Sequence, residues 1–462
     1  SVEIDSYHDH QTAFEFLVNS NGVQFDDMVY DDMDRNTDWN AIWESAIYED
    51  DYGWNVEFRI PFSVLRFSSN SELVMGININ RYIQRKNELI SWVVFPRGHT
   101  GISSKFGHLD GISDLEKRKV PLSLKPFVNI GYYSYDNYHL IDRDSPNTNK
   151  ENKSDIGTET KAGLDVKYLI SQDIIADLAF NPDYGQIEAD PADINMTYYE
   201  TYFLEKRPFF MENATLFDTP IEVFYSRRIG TNRQYVLGDW QPKMSSFVKY
   251  AGKITGKSSK GFSFGVISAV TNDDKSSWFN TSANSNFLIS RITQDLFQGN
   301  SYIGFLSTIF NDFSTTNYVN SIDMLTNLWG NNLMIDWQLI SSKTNRLNSN
   351  SDSTGNGLSL EIHYDPSSSV SHYWLNIENF DPFLNIDDIG YLYRNNIKKI
   401  EGGMGFYWFD LDLFIPILEG QFDMYYNYTI NHDDLVLANS YGVKNFIIFK
   451  NLWNLGTNIN FI

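Results

Sequence analysis

The period of the hydrophobic residues constrains this chain more than any other feature. β-branched and aromatic residues alternate with polar ones in segment after segment, with clusters of Asn, Asp, Gly and Ser between them, and almost nothing repeats at helical spacing. The pattern predicts an all-β protein. Early strands are predicted at Thr12–Asn19, Tyr52–Ile60, Leu73–Arg81 and Leu89–Phe95. Pro61 ends the second of them, because proline cannot donate to a sheet ladder.

A charged, proline-ended stretch divides the chain into two regions. Asp114–Pro121 (DLEKRKVP) has the composition of a linker. We therefore predict a module at residues 1–114, a linker at 115–121 and a second domain at 122–462. The compact strands of the first region favour a β-sandwich. We expect the sequence to be incomplete at both ends, because Ser1 follows no signal peptide and the last residues, NINFI, read as a strand.

The second domain has longer strands, in which large apolar residues alternate with small or polar ones. In Gly261–Val270, one face carries Phe262, Phe264, Val266 and Val270, and small or polar residues lie mostly on the other. This is the pattern of a membrane strand, with lipid outside and a lumen inside, although a soluble sandwich gives the same alternation. Aromatic residues at strand ends and short turns alternating with long polar loops favour an antiparallel transmembrane β-barrel of about twelve to sixteen strands.

Composition narrows the classes of partner. The 462 residues include 59 acidic and 36 basic ones, so the net charge is −23, and clustered cations that could bind a nucleic-acid backbone are missing. The 33 Phe, 28 Tyr and 11 Trp residues can bury enough apolar surface for a folded protein. With no Cys, the chain has no disulfides, thiolate metal sites or cysteine nucleophile.

Tryptophans of the first region are candidates for glycan contacts, because indole offers a flat apolar face and an N–H donor. Trp39 and Trp43 lie in DWNAIWES, beside an acidic loop, and fit either a binding surface or the core. The alternating strands around Trp54 and Trp92 favour a core position. We take Trp39, Trp43 and Trp92, with Arg81 as a donor, as the candidate glycan-binding set.

The acidic loop FDDMVYDDMDRNTDW offers candidate metal ligands. Asp26, Asp27, Asp31 and Asp32 supply the hard oxygen atoms that calcium prefers. The spacing differs from that of the twelve-residue calcium loop, and a solvated acidic loop is the alternative. No cofactor other than calcium is indicated.

The sequence nominates no catalytic group. Carboxylates are too abundant in a chain this acidic to single out a glycosidase pair, and neither G-x-S-x-G nor H-E-x-x-H is present. A binding or structural role is therefore favoured over an enzymatic one.

The stretch from 181 to 230 is the most unusual in the chain. Acidic residues crowd its first half and basic residues follow, with aromatic residues between them, so the segment can neutralise itself by internal ion pairs. Such a segment could fold into a barrel lumen or cap its mouth, or it could be a structured surface loop. The candidate residues for this role are Glu205, Lys206, Arg207, Arg227 and Arg228.

Several strings resemble one known family. They are DWNAIWES (38–45), WNVEFRIPFSVLRF (54–67), MGININRYIQRKNELISW (75–92), ETKAGLDVKY (159–168), NPDYGQIEADPADINMTYYETYFLEKRPFF (181–210), FYSRRIG (224–230), FLISRITQDLFQGNSYIGFLS (287–307) and FDPFLNIDDIGYLYRN (380–395). The chain resembles Bacteroidota-type outer-membrane proteins that combine an N-terminal module similar to family 9 carbohydrate-binding modules with a C-terminal β-barrel domain of unknown function.

The resemblance implies an outer-membrane location in a Gram-negative bacterium and contact with lipid. It also implies a glycan-binding role for the module, in polysaccharide binding or uptake. Two alternatives stay open: a non-enzymatic accessory subunit of an outer-membrane assembly, secretion or transport complex, which would have other outer-membrane proteins as partners, and a carbohydrate-active hydrolase.

Overall fold

The protein is all-β, as the alternation of its residues predicts. The computed structural model describes residues 1–30, 32, 34–37, 39, 41–51, 53–62, 64–65, 67, 72–94, 101–113, 122–136, 154–171, 173–182, 196, 199–230, 233–234, 243–244, 246–258, 260–273, 283–297, 301–346, 352–366, 370–411 and 416–461. The predicted linker at 115–121 lies outside these residues. Helix within them is confined to α1 (Pro208–Met211) and to 3-10 turns at Gln84–Lys86, Ser103–Lys105, Ala214–Phe217 and Ser226–Arg228. In this described part, no helix has the length and apolar character needed to cross a membrane.

The N-terminal module consists of one larger sheet and a hairpin. Its described strands are β1 (Val2–Asp5), β2 (Ala13–Val18), β3 (Gln24–Tyr30), β4 (Asp34–Asn36), β5 (Glu44–Asp50), β6 (Gly53–Arg59), β7 (Glu72–Ile83), β8 (Glu88–Ser91) and β9 (Gly107–Ser113). The larger sheet has the order β4-β3-β2-β1-β7-β8, with β9 also paired to β7, while β5 and β6 pair only with each other. The four strands predicted in this region correspond to β2, β6, β7 and β8, although β8 ends at Ser91.

The module core lies between the larger sheet and the β5–β6 hairpin. Alternation places Phe14 and Phe16 of β2 on the same face as Leu73 and Met75 of β7, and all four are buried. The hairpin contributes side chains to the same cluster, among them Phe58. The two layers therefore share one hydrophobic core.

A long antiparallel sheet follows the module. Its strands are β10 (Leu122–Asp136), β11 (Ser154–Leu169), β12 (Ile174–Phe180), β15 (Ser246–Lys257), β16 (Phe262–Asp273), β17 (Ala283–Leu296), β18 (Ser301–Asn311), β19 (Thr315–Leu328), β20 (Leu333–Arg346), β21 (Ser353–Tyr364), β22 (Ser371–Phe380), β23 (Ile397–Leu411), β24 (Ile417–Ile430), β25 (Val436–Phe449) and β26 (Asn454–Phe461). A separate short pair is β13 (Arg233–Gln234) and β14 (Lys243–Met244). Among the described residues, these fifteen strands pair in the order given, and β10 and β26 are the two edge strands of the sheet.

The two faces of the long sheet differ in chemistry. In β16, Phe262 and Val266 are exposed, whereas Ser263 and Gly265 between them are buried. The predicted alternation of this strand is thus confirmed. We call the face with Ser263 and Gly265 the inner face and the opposite one the outer face.

The connections at the two ends of the sheet differ in length. At one end, strands are joined by residues 170–173, 258–261, 297–300, 329–332, 365–370, 412–416 and 450–453. At the other end, long connections at residues 137–153, 181–245, 274–282 and 381–396 occur along the sheet together with shorter ones at 312–314, 347–352 and 431–435. We call these the short-turn end and the long-loop end.

Candidate functional site

The module contacts the long sheet at its short-turn end. Lys257, the last residue of β15, places its Nζ 2.7 Å from Oδ2 of Asp9 in the loop after β1. Asn331, in the turn after β19, donates from Nδ2 to Asp32 Oδ2 at 3.0 Å and to Ser104 Oγ at 3.2 Å. Loops from three places in the module sequence therefore meet the same end of the sheet.

The loop that carries Asp9 is shaped by Asp5. The Asp5 carboxylate accepts the backbone N–H of Asp9 at 3.2 Å and that of His10 at 3.0 Å, and both His8 and His10 have positive φ. Burial, with the nearby charge of Asp9, raises the pKa of Asp5 well above its ordinary value. Burial alone would also raise the pKa of Asp9, but Lys257 and backbone N–H donors outweigh it and lower that pKa. Asp9 is thus held as an anion against Lys257.

A cleft of about 960 Å³ lies where the module meets the inner face. Its walls come from the module, from residues 206–218 and from the short-turn end of several sheet strands. The module supplies Phe14, Met28 and Trp39, the segment supplies Lys206, Met211 and Leu216, and the sheet supplies Thr255, Arg291 and Tyr302, among others. This volume is in the range of small-molecule sites, which lie between about 300 and 1,000 Å³.

Charges around the cleft are paired with one another. Lys167 lies 2.6 Å from Glu212, and Lys257 lies 3.2 Å from Asp295 as well as contacting Asp9. Because Lys167 and Lys257 already have anionic partners, they need no charged ligand to balance them. Together with its aromatic and thioether side chains, this arrangement suits an uncharged ligand with both apolar faces and hydroxyl groups.

The candidate glycan-binding residues do not form one site. Trp39 lines the cleft and packs against Phe14, with ring centroids 4.7 Å apart. Trp43 is only 6% exposed, because its ring packs between Phe16 and Phe58 in the module core. It therefore has no free face for a sugar.

The structure corrects the prediction that Trp92 lies in the core. It is 59% exposed, because β8 ends at Ser91 and the ring lies over Gly107 rather than between the two layers. Arg81 is exposed on the same β7–β8 hairpin, away from the cleft. Trp54, also predicted in the core, is half-buried.

The candidate calcium ligands bind protein groups in different places. Asp26 accepts the N–H of Ala41 at 2.6 Å, and Asp27 lies 2.8 Å from the Arg35 guanidinium. Asp32 accepts the N–H of Ile102 and the hydroxyl of Ser103. Asp31 lies outside the described residues, and within them no group of three or more metal-ligating side chains is placed to hold an ion.

The candidate residues of the 181–230 segment form internal ion pairs. Arg207 Nη2 lies 2.6 Å from Glu205, and Arg228 Nη2 lies 2.7 Å from Glu200. Arg207 also donates to the carbonyl oxygens of Ser226 and Ile229, which links the two halves of the segment. In its turn, Arg227 Nε donates to the carbonyl oxygen of Leu204, while Lys206 lines the cleft. Residues 183–195 lie outside the described part.

Residues 199–230 pack on the inner face of the long sheet. Phe210, Phe217 and Ile229 join buried side chains of β15 to β18 in one cluster. The buried ammonium of Lys253 donates to the carbonyl oxygens of Phe209, at 2.5 Å, and Glu212, at 2.6 Å. The described residues of the segment thus pair charges with one another and cover the inner face of β15 to β18.

Glu222 is an unusual acid within this segment. It accepts a hydrogen bond from the Tyr202 hydroxyl at 3.0 Å. Burial raises its pKa to about 7, against the lowering effects of this bond and of Arg228. The Glu222 carboxyl group therefore holds its proton more tightly than an ordinary glutamate does.

The inner face holds a buried ion pair that the sequence did not predict. Arg291 of β17 and Asp323 of β19 are both nearly inaccessible and form two hydrogen bonds across β18. Gly304 of β18 makes room, because a Cβ there would lie 2.6 Å from both terminal nitrogens of Arg291. The signal in the sequence is a lone arginine amid an apolar alternation in FLISRIT, but its partner is 32 residues away.

Fold and site together define an all-β protein with a long antiparallel sheet, an inner-face segment and a cleft under an N-terminal module. Residues 122–462 match the family described as a domain of unknown function, DUF5916. The match spans most of the chain, and the chain belongs to this family. A comparison with curated proteins gives no match.

Proposed function

We propose that this chain is an outer-membrane protein whose long sheet lies in the lipid bilayer as a barrel wall, and whose inner cleft binds an uncharged polysaccharide during its binding or uptake. The observation that carries the proposal is that the sheet exposes large apolar side chains on its outer face and keeps buried charged side chains on its inner face. Exposed apolar residues of the outer face include Ile254, Val266, Leu288, Ile292, Phe305, Ile322 and Leu339. The inner face instead buries Lys253, Arg291 and Asp323.

This distribution suits lipid better than water. Apolar side chains on a lipid-facing surface need no protein cover, whereas a cation at the middle of the bilayer costs about 2–4 kcal/mol. Ion pairs on the inner face avoid that cost. In lipid, the outer edges of β10 and β26 must also be paired, because an unsatisfied strand edge is not tolerated there.

The lengths of the connections give the proposal an orientation. In outer-membrane barrels, short turns face the periplasm and longer loops face the outside. The module binds the short-turn end through Asp9 and Asp32, so we place it in the periplasm. The cleft then opens toward the periplasmic side of the barrel.

Replacing Trp39 with alanine tests the cleft. The probes are the neutral hexasaccharides of glucose, xylose and mannose, titrated by calorimetry into the full-length protein in detergent. We expect one of them to bind and Trp39→Ala to weaken it about tenfold, which corresponds to about 1.4 kcal/mol, because the variant loses the aromatic face in the cleft.

Trp92→Ala is the matched control for this experiment. Trp92 is exposed and lies outside the cleft, so its variant should bind like the unaltered protein. Thermal unfolding of both variants separates lost binding from lost folding. Equal weakening by the two substitutions would contradict a site at Trp39.

One observation favours the accessory-subunit alternative. The β7–β8 hairpin exposes several apolar side chains, namely Ile79, Tyr82, Leu89, Ile90, Trp92 and Val94. Asp5, next to the loop that contacts the long sheet, pairs with Gly76, and β7 continues seven residues further to Ile83. The hairpin tip therefore lies about 23 Å beyond that pair, away from the long sheet. Stoichiometric co-purification that Leu89→Asp abolishes would support a protein partner there.

A further inference from the structure

The inner face continues beyond the segment that covers its first half. Partners across an antiparallel sheet share a face. The pairing runs from Asp323 of β19 to Gln338, then to Ser359, Glu378 and finally Lys399 of β23. Alternate residues of β22, β23 and β24 therefore extend the same inner face.

His372, Gly405 and Asp423 form a row across these three strands. His372 pairs with Gly405, and Gly405 pairs with Asp423. Because glycine has no side chain, the imidazole crosses β23 and its Nε2 lies 2.9 Å from Oδ1 of Asp423. A Cβ at Gly405 would collide with both groups. The pair fixes the orientation of the imidazole ring.

Aromatic rings lie beside His372 in nearly parallel planes. Its ring centroid is 5.6 Å from that of Trp374, with an angle of 17° between the planes, and 4.3 Å from that of Tyr407, with an angle of 27°. Tyr407 is in turn nearly parallel to Phe409, at 6.4 Å. The Trp374 ring lies over Gly403. The inner face thus carries a row of nearly parallel aromatic rings.

Hydrogen-bonding atoms without partners lie on the same face of β22. In the described part of the chain, His372 Nδ1, Asn376 Oδ1 and Glu378 Oε2 are buried and accept or donate no hydrogen bond within the protein. His372 itself is 9% exposed. Buried polar atoms normally have partners, so three on one strand face indicate groups that await a ligand or water.

We propose that this inner-face surface, formed by His372, Trp374, Asn376, Glu378 and Tyr407, is a second sugar-binding subsite. Flat rings bind the apolar face of a pyranose, and the unpartnered nitrogen and oxygen atoms bind its hydroxyl groups. Its aromatic residues lie near the short-turn end, where the cleft also lies, because His372 follows directly after Ser371, the first residue of β22. The subsite rests on the proposed polysaccharide function and extends it along the inner face.

Two substitutions test the subsite in the full-length protein in detergent. His372→Gln removes the imidazole, and Trp374→Phe reduces the flat surface while keeping an aromatic ring. Calorimetric titration uses the same neutral glucose, xylose and mannose hexasaccharides. We expect each variant to weaken binding at least fivefold. Trp408→Phe is the matched control, because Trp408 lies next to Tyr407 on β23 and points to the outer face.

The outcomes separate this subsite from the cleft. Weaker binding by His372→Gln and Trp374→Phe, with unchanged binding by Trp408→Phe and unchanged thermal unfolding, supports the subsite. Unchanged binding by both variants, while Trp39→Ala still weakens it, overturns the subsite and leaves the cleft in place. No binding of any hexasaccharide by the unaltered protein overturns both the proposed function and the subsite.

Discussion

Replacing Asp323 with alanine is expected to lower the free energy of unfolding by about 3–5 kcal/mol, the cost of leaving a buried charge without its partner. The carboxylate of Asp323 is fully inaccessible and holds the Arg291 guanidinium, which is 1% exposed. Without the Asp323 carboxylate, the Arg291 guanidinium would stay buried and charged, because a guanidinium does not lose its proton in proteins. Denaturant unfolding of the detergent-solubilised protein measures the change.

Two further variants distinguish the pair from a general effect of removing a carboxylate. Asp352→Ala breaks an exposed pair with Lys343 and should change stability by less than about 0.5 kcal/mol. The double variant Arg291→Met, Asp323→Leu should recover much of the loss, because well-packed apolar residues replace both charges. A small effect of Asp323→Ala alone would contradict the buried pair.

Gly355→Ala is expected to have the next largest effect, about 3 kcal/mol or failure to fold, because overpacking against backbone leaves no room to relax. Gly355 lies on β21, where a Cβ would lie 2.5 Å from Cα of Leu384 and closer still to its backbone nitrogen. Leu384 belongs to a buried cluster that also holds Ile386 and Phe380. The substitution would therefore push residues 383–384 off the sheet.

Gly456→Ala is the matched control for this substitution. Gly456 also lies in a strand, β26, and the nearest atom to its Cβ would be at an ordinary 3.8 Å. We expect no measurable loss of stability, and thermal unfolding in detergent compares the two variants. Equal stability of both would show that residues 383–384 do not pack on β21 as described.

Local patterns made the strands predictable. The alternation in GFSFGVISAV predicts the two faces of β16, because side chains of a strand point to opposite sides in turn. It also favoured a core position for Trp92, which is exposed, because alternation does not reveal where a strand ends. Which face of a strand is covered, and by what, depends on contacts far apart in the sequence.

The candidate site was less predictable for the same reason. Trp39 was among the glycan candidates, and Lys206 was a candidate of the 181–230 segment, but no local pattern shows that both line one cleft. Likewise, His372 and Asp423 are 51 positions apart and meet only because Gly405 separates them in the sheet. Pairs across a sheet follow from strand order and register, which the sequence does not state.

The most direct test of the central claim, a sheet that spans the outer membrane with its module in the periplasm, uses single cysteines. The chain has no Cys, so each introduced thiol is the one labelled. Phe383 lies at the long-loop end and is exposed, and Tyr48 is exposed on the module. With a membrane-impermeant maleimide, we predict that Phe383→Cys is labelled in intact cells and Tyr48→Cys only after the outer membrane is permeabilised. Labelling of both positions to the same extent, before and after permeabilisation, would contradict a sheet that crosses the membrane.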